Sequence, residues 1–429
     1  MRRVKTLEIT TVELFKTQLL EWANSKKDMI WLDSNAYQSN YGNFDCILAL
    51  DANTAIQTNI ENAFDTLEQY QTTTSDWIFG YLTYDLKNDL EPLESNNFDG
   101  LGFPELYFFQ PKKIFFFKSN TVTLSYLESA AADIGADLND IQTTVVSSNS
   151  PSNKPLEVQS RISKQIYIDQ VETLKNHIGR GDVYEANFCQ EFYAHGTLNP
   201  LHTFRKLQSI SRPPFAVYFK HNDQFLISAS PERFLKKDGQ TLISQPIKGT
   251  AKRSINPNED EVLKTNLMSD PKERSENVMI VDLVRNDLSR IAKKGTVHVE
   301  ELCGMYSFKQ VHHLISTIKA ELKSNISPIQ AIKAAFPMGS MTGAPKISAM
   351  KIIESLESTK RGLYSGAVGY FTPNGDFDFN VVIRSILYNA TRSYVSFSVG
   401  SAITAKSDPS KEFEECLVKA QAMRDVLDD

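Results

Sequence analysis

The sequence predicts an α+β fold. Two observations carry this. Short apolar and aromatic runs stopped by Pro, Gly and Asp-Gly or Asn-Gly pairs recur between residues 30 and 403, and such runs read as strands. A few longer stretches, above all 271–294 and the one that opens at Asp408-Pro409, keep apolar residues at helical spacing instead. Many strands interleaved with a few long helices make the α+β pattern. The chain has 429 residues, enough for two or three ordinary domains or one large composite.

Hydrophobic residues make up 41% and charged residues 23%, the balance of a soluble globular protein. The net charge of −6 gives no support for a nucleic-acid or anionic-membrane surface. The start Met1-Arg-Arg-Val-Lys-Thr-Leu-Glu8 has basic residues with no apolar run behind them, so no signal peptide is expected. No apolar run is long enough for a membrane span. Cys46, Cys189, Cys303 and Cys416 are scattered, with no Cys-x-x-Cys pair. That suits reduced, buried thiols in a cytoplasmic protein.

In chain order, Val12–Ala23 has a helical pattern, 30–34 reads as a strand running into a turn, and 76–85 as another strand. Residues 106–109 and 114–117 flank Gln-Pro-Lys-Lys and read as a hairpin with an aromatic face. Residues 129–164, rich in Ser, Asn, Asp and Ala, read as a linker between an N-terminal region (1–128) and a catalytic part (165–427). A helix over 166–178 ends near Gly179 and Gly181, and 183–193 alternates as a strand.

The stretch 225–230 is a strand that stops at Pro231. Asp238-Gly239 is a hairpin turn and 241–244 the return strand, followed by the loop Pro246-Ile-Lys-Gly-Thr250. Glu232 and Lys248 stand just past the two strands, and a fold-back of that loop would bring them together. Lys248 is then either a solvated loop lysine or a nucleophile. A nucleophilic amine must be neutral, which requires burial or a cationic neighbour.

Pro271 suits the first turn of the 271–294 helix, and Lys293-Lys294-Gly295 suits its end. Glu276 falls on the apolar stripe of Ile280, Leu283 and Ile291, with Glu273 one turn earlier. A carboxylate on a buried stripe needs a cation or a proton. The segment 310–316 carries His312 and His313. Gly339-Ser-Met-Thr-Gly-Ala-Pro-Lys346 opens a helix over 345–356, and a Gly-rich helix start binds anions. It lacks the Gly-Lys-Ser/Thr ending of a phosphate-binding loop, so the anion is better taken as a carboxylate. Residues 367–372 and 378–386 are strands around a turn at 373–376, and Arg384 in the second must meet a carboxylate of the protein or of a ligand. The strand 396–403 precedes a last helix, where Glu412, Glu415 and Lys419 share the edge beside the apolar stripe.

Four of these stretches carry a resemblance: Pro246-Ile-Lys-Gly-Thr250, Glu273-Arg-Ser-Glu-Asn-Val-Met-Ile-Val-Asp-Leu-Val-Arg-Asn-Asp287, Phe336-Pro-Met-Gly-Ser-Met-Thr-Gly-Ala-Pro-Lys346 and Arg361-Gly-Leu-Tyr-Ser-Gly-Ala-Val-Gly-Tyr370. Together they resemble the chorismate-utilising enzymes: anthranilate, aminodeoxychorismate, isochorismate and salicylate synthases. The likeness runs from about residue 166 onward and is faint before it. Ile30-Trp-Leu-Asp-Ser34 only faintly resembles a segment where anthranilate synthases bind a feedback amino acid, and it is better read as a core strand. The resemblance implies a two-sheet β-sandwich with flanking helices and the active site in the cleft. It implies catalytic roles for Lys248, Glu232 and His313. Thr342, Tyr364, Arg384, Gly400 and Lys419 would bind substrate, and Glu276 and Glu415 would hold Mg²⁺. Ala402 stands where the family has the second Gly of a Gly-x-Gly-Ile turn.

A lysine at 248 resembles the aminodeoxychorismate-forming branch, since anthranilate synthases usually carry alanine there. The implied substrates are chorismate and ammonia. None of the four cysteines lies on a tight Gly-flanked turn, so ammonia is expected from a separate glutaminase subunit. Isochorismate and salicylate synthases carry a lysine base on the strand where this chain has Glu185, which lowers the water-adding readings. Anthranilate synthesis, isochorismate synthesis and a non-catalytic binding role stand as alternatives.

Overall fold

The computed structural model describes residues 1–37, 39–146 and 155–428. Every strand pairing in it is antiparallel. The strands form one hydrogen-bonded network with two arms, and the long strand Leu106–Lys118 is the branch point. One arm leaves through Cys46–Thr58, Asp28–Asp33, Phe215–His221, Gln224–Ser230, Ser385–Asn389 and Tyr394–Ile403, and ends on Glu185–His195. The other leaves through Ile78–Leu82, Ala367–Phe371, Phe377–Val381, Arg233–Asp238 and Thr241–Gln245, and ends on Val311–Glu321 with Ile247–Lys252. Strands of residues 1–128 therefore lie in both arms.

Alternation along each strand feeds two cores. On Asp28–Asp33, Ile30 enters one core while Met29 and Trp31 enter the other. Val217 and Phe219 likewise face away from Ala216 and Tyr218. The first core also takes Val281, Val284 and Leu288 of the helix Pro271–Ser289. The second is covered by the helices Val12–Ala23, Lys164–Arg180, Pro200–Ser211 and Pro409–Leu427. Among the described residues no helix is long and apolar enough to cross a membrane.

Several expected elements take a different form. The Asp238-Gly239 turn is present, but its outgoing strand is Arg233–Asp238. Gln224–Ser230 pairs instead with Phe215–His221 and Ser385–Asn389. Pro231 has no N–H to continue a ladder, and past it the chain passes to the other arm. The hairpin expected at 106–117 is one continuous strand. Pro111 sits where the second neighbour changes from Ile78–Leu82 to Thr121–Leu127, so no partner there needs its missing N–H. The strand expected over 378–386 is two strands, Phe377–Val381 and Ser385–Asn389. Between them Arg384 adopts a left-handed φ of 52°. The helix from Pro271 ends at Ser289.

The expected linker holds a packed helix, Ile134–Thr143, whose Ile134, Leu138 and Ile141 are buried. Its short polar residues hid an i, i+4, i+7 apolar stripe. Residues 147–154 of that expected linker lie outside the described residues.

Candidate active site

The two arms end facing each other, and a cavity of about 850 Å³ lies between their tips. Its wall takes residues from the two terminal strands, the helices Pro271–Ser289 and Pro409–Leu427, and the Gly-rich loop. Glu232, Lys248, Glu276, His313, Tyr364, Arg384, Gly400, Glu415 and Lys419 all line it.

Lys248 lies near the start of the strand Ile247–Lys252, with its Nζ 2.9 Å from Glu185 Oε1 on the opposite arm. Its side chain is 10% exposed and that of Glu185 2%. Burial of the amine is therefore met, but its neighbours are anionic. Burial alone would lower the Lys248 pKa, and the carboxylates of Glu185, Glu276 and Glu232 outweigh it and raise it. Lys248 rests as an ammonium. Glu232 is buried beyond Pro231, and burial lifts its pKa to about 7, against the Ser340 hydroxyl, Lys248 and the Ile247 N–H. It is thus poised to give or take a proton near neutrality.

His313 is buried, and its Nδ1 is 2.9 Å from the Thr250 hydroxyl and 3.3 Å from the Gly249 carbonyl. Burial, then the Arg384 charge, lowers its pKa to about 3, so the ring is neutral. His312 faces away from the cavity, between Ser307 and Asp260. A strand turns successive side chains to opposite faces, which separates the two histidines.

Glu276 is buried on the helix face toward the cavity, and its pKa rises to about 7, chiefly through burial. Its Oε1 has no hydrogen-bond partner among the described residues, and Lys272 Nζ stands 3.8 Å away. Lys272 also stands 3.4 Å from buried Glu412. Burial pushes Glu415 up, but Lys419 at 2.6 Å outweighs it and holds the carboxyl below its ordinary value. Among the described residues no group of three or more His, Cys, Asp or Glu side chains is arranged as a metal cage. Mg²⁺ keeps several waters and takes one or two carboxylates. Hard oxygen donors from Glu276 and Glu415, one of them an orphaned buried oxygen, fit such an ion.

Arg384 has no carboxylate partner among the described residues, and burial lowers its pKa. It lines the cavity as a buried cation, with Tyr364 and Glu415 opposing that shift from beyond ion-pair distance. Tyr364 is buried with its hydroxyl 3.7 Å from Cys189 Sγ. The Gly400 carbonyl accepts from Lys419 Nζ at 2.9 Å. A Cβ on Gly400 would stand 2.5 Å from Cys189 Sγ, so this wall has no room for a side chain. Ala402 also lines the cavity.

Thr342 departs from its expected place. Its hydroxyl donates to the carbonyls of Met338 and Gly339 inside the tight loop, and its own carbonyl accepts from the Asn187 N–H at 2.7 Å. Ser340, Met341 and Asn187 line the cavity in its stead. Sequence reasoning also missed Lys272, although it is one turn from Glu276 on a helix with a buried acidic face. Nor did it find that Arg361 holds this wall together. The Arg361 guanidinium pairs with Glu357 at 2.6 Å and donates to the carbonyls of Met341 and Asn187 at 2.5 and 2.7 Å.

The family described as chorismate binding enzyme matches residues 27–425. A chloroplastic aminodeoxychorismate synthase of Arabidopsis thaliana is 38% identical over 341 residues, covering 73% of this chain and 37% of that protein. An anthranilate synthase component I-like protein of Synechocystis is 35% identical over 354 residues, covering 82% of this chain and 72% of the relative. The chain thus matches little more than a third of the length of the plant relative. The solved anthranilate synthase component I of Streptococcus pneumoniae superposes with a TM-score of 0.79 at 26% identity, over 90% of this chain and 93% of that one.

Proposed function

This chain belongs to the chorismate binding enzymes, and from that premise we propose that it makes 4-amino-4-deoxychorismate from chorismate and ammonia. The observation that carries this reading is Lys248. It is a buried amine on the cavity wall, in reach of Glu185 and beside Glu232, at the position where this branch of the family has a lysine. Relatives named aminodeoxychorismate synthase support it.

Chorismate is a dicarboxylate with an allylic hydroxyl on C4. Arg384 and Lys419 offer cations on the cavity wall for its carboxylates. Lys248 Nζ bonds to C2 as the C4–O bond breaks, and Glu232 gives the departing hydroxyl its proton, so water leaves. Ammonia then bonds to C4 as the bond from C2 to Lys248 breaks. Neutral His313, held by Thr250 and Gly249, offers a hydrogen bond without adding a charge. Glu276 and Glu415 would hold Mg²⁺, which supplies Lewis-acid polarisation of a substrate carboxylate. A separate glutaminase subunit would supply the ammonia.

A second reading, anthranilate synthesis, is favoured by the Synechocystis relative and the Streptococcus structure. The test is the product formed from chorismate, ammonium and Mg²⁺, identified by chromatography and mass spectrometry. The expected product is 4-amino-4-deoxychorismate. Anthranilate would assign the chain to the second reading.

A further inference from the structure

An amine that rests as an ammonium cannot attack carbon, so the proton on Lys248 must leave before the covalent step. The cavity wall leaves Lys248 only 10% exposed, and a bound substrate would displace the remaining water. The proton therefore needs an acceptor inside the protein. Among the described residues one carboxylate is within hydrogen-bond distance of Nζ, that of Glu185 at 2.9 Å, while Glu276 and Glu232 act on the amine from farther away. Glu185 does not line the cavity; it stands behind the lysine, at the tip of the opposite arm.

The state of Glu185 makes it suited to that task. Its side chain is 2% exposed, and its Oε2 is buried with no hydrogen-bond partner among the described residues. A buried carboxylate held by one partner is a costly anion. Passing one proton from the ammonium to it replaces two buried charges by a neutral amine and a neutral acid, which removes most of the desolvation penalty of the pair. The path for that proton is one direct hydrogen bond of 2.9 Å, with no water needed between the two groups.

We infer that Glu185 is the proton acceptor that frees Lys248 for attack. This rests on the reading of Lys248 as the nucleophile. In the step, the N–H bond of Lys248 breaks and an O–H bond forms on Glu185. The freed lone pair then bonds C2, and the C4 hydroxyl leaves as water with the proton of Glu232. When ammonia bonds C4 and expels Lys248, the new C4 ammonium returns a proton to Glu232. The released amine takes its proton back from Glu185, so both acids regain their starting state.

The test is the pH dependence of Glu185→Gln and Glu185→Asp, assayed with chorismate and ammonium in Mg²⁺ between pH 6 and pH 9. Glu185→Gln keeps the size and a hydrogen bond but cannot take a proton. Its kcat at neutral pH is expected to fall about a hundredfold or more, the scale of losing a general base. KM for chorismate should change little. The deficit should shrink as pH rises, because solvent then removes the proton. Glu185→Asp withdraws the carboxylate by one methylene and should show a smaller deficit of the same kind. A Gln variant as fast as the parent at neutral pH, or a deficit independent of pH, would overturn the inference. If the Gln variant does not fold, the Asp variant decides by the same pH criterion. A second arm needs no turnover. Labelling of Lys248 by acetic anhydride, followed by peptide mass spectrometry, reads its protonation directly. Half-labelling should move to lower pH in Glu185→Gln, and an unchanged midpoint would also overturn the inference. Anthranilate as the parent's product would sink the proposed function while leaving the labelling result intact.

Discussion

The Lys346 ammonium stands 2.6 Å from the Asp287 carboxylate, and this contact ties the Gly-rich loop to the helix that carries Glu276. Both side chains are largely buried, at 15% and 4% exposure. Burial lowers the lysine pKa and raises that of the aspartate, and each charge opposes the shift of the other. Lys346 also donates to the Ala335 carbonyl at 3.2 Å, which closes the segment between them.

Removing one member of this pair leaves the other charge buried and alone. Asp287→Ala should destabilise the fold by about 3–5 kcal/mol, read as a lower midpoint in urea or guanidinium. Replacing both residues by apolar ones of similar size should recover much of that loss. A single variant within about 0.5 kcal/mol of the parent, as for a surface change, would show that the pair does not hold the loop.

Lys248→Ala should abolish formation of 4-amino-4-deoxychorismate by at least about a thousandfold, the scale of losing a nucleophile that acts as a unit with its partners. The variant also leaves the buried Glu185 carboxylate unpaired, so a stability loss of about 3–5 kcal/mol is expected beside the lost rate, and the rate is compared on folded protein. Circular dichroism and product analysis check both halves. A variant with nearly the parent rate would rule out the covalent role.

Activity should vanish in excess EDTA and return with added Mg²⁺. Glu276→Gln should lose about a hundredfold or more, since a Lewis-acid contact is worth several kcal/mol. Undiminished turnover in EDTA would remove Glu276 and Glu415 from the ligand role.

Glu232 gives a pH dependence with a defined sign. Its pKa rises from the ordinary 4.5 to about 7 in the folded chain. Between those values the folded state holds a proton that the unfolded state has released, so its contribution to stability falls as pH rises through this window. As the proposed acid it is also active only while protonated, so kcat/KM should decline above about pH 7. Glu232→Gln should flatten the stability trend and remove most of the activity. A parent enzyme whose kcat/KM rises steadily from pH 6 to pH 9 would contradict this role.

The four cysteines are all buried, and burial raises the pKa of each thiol. None offers the exposed thiolate that glutamine hydrolysis requires. The purified chain should therefore aminate chorismate with ammonium salts and not with glutamine, and a glutaminase partner should restore glutamine use. Product formed with glutamine as the sole nitrogen source would overturn this.

Local chemistry alone specified a good part of the protein. The period of the apolar residues placed the helix Val12–Ala23 with its observed ends, and the Asp238-Gly239 pair marked a real turn. Glu276 on an apolar stripe announced a buried carboxylate, because helical spacing fixes which side chains share a face. The motif stretches carried Lys248, Glu276 and Tyr364, which line the cavity. Tertiary structure decided what spacing cannot encode. Two strands that read as partners across a turn belong to different arms, because Pro231 ends one ladder and long-range pairing chooses the next. Arg384 leaves its strand for a left-handed bend that only its neighbours determine. Thr342 turns into its own loop and yields its place to Ser340 and Met341. Above all, Lys248 and Glu185 are 63 residues apart in sequence and 2.9 Å apart in space. Whether that lysine rests charged or neutral depends on which carboxylates the folded arms bring against it, since the field at a buried amine is set by contacts that the linear order of residues does not contain.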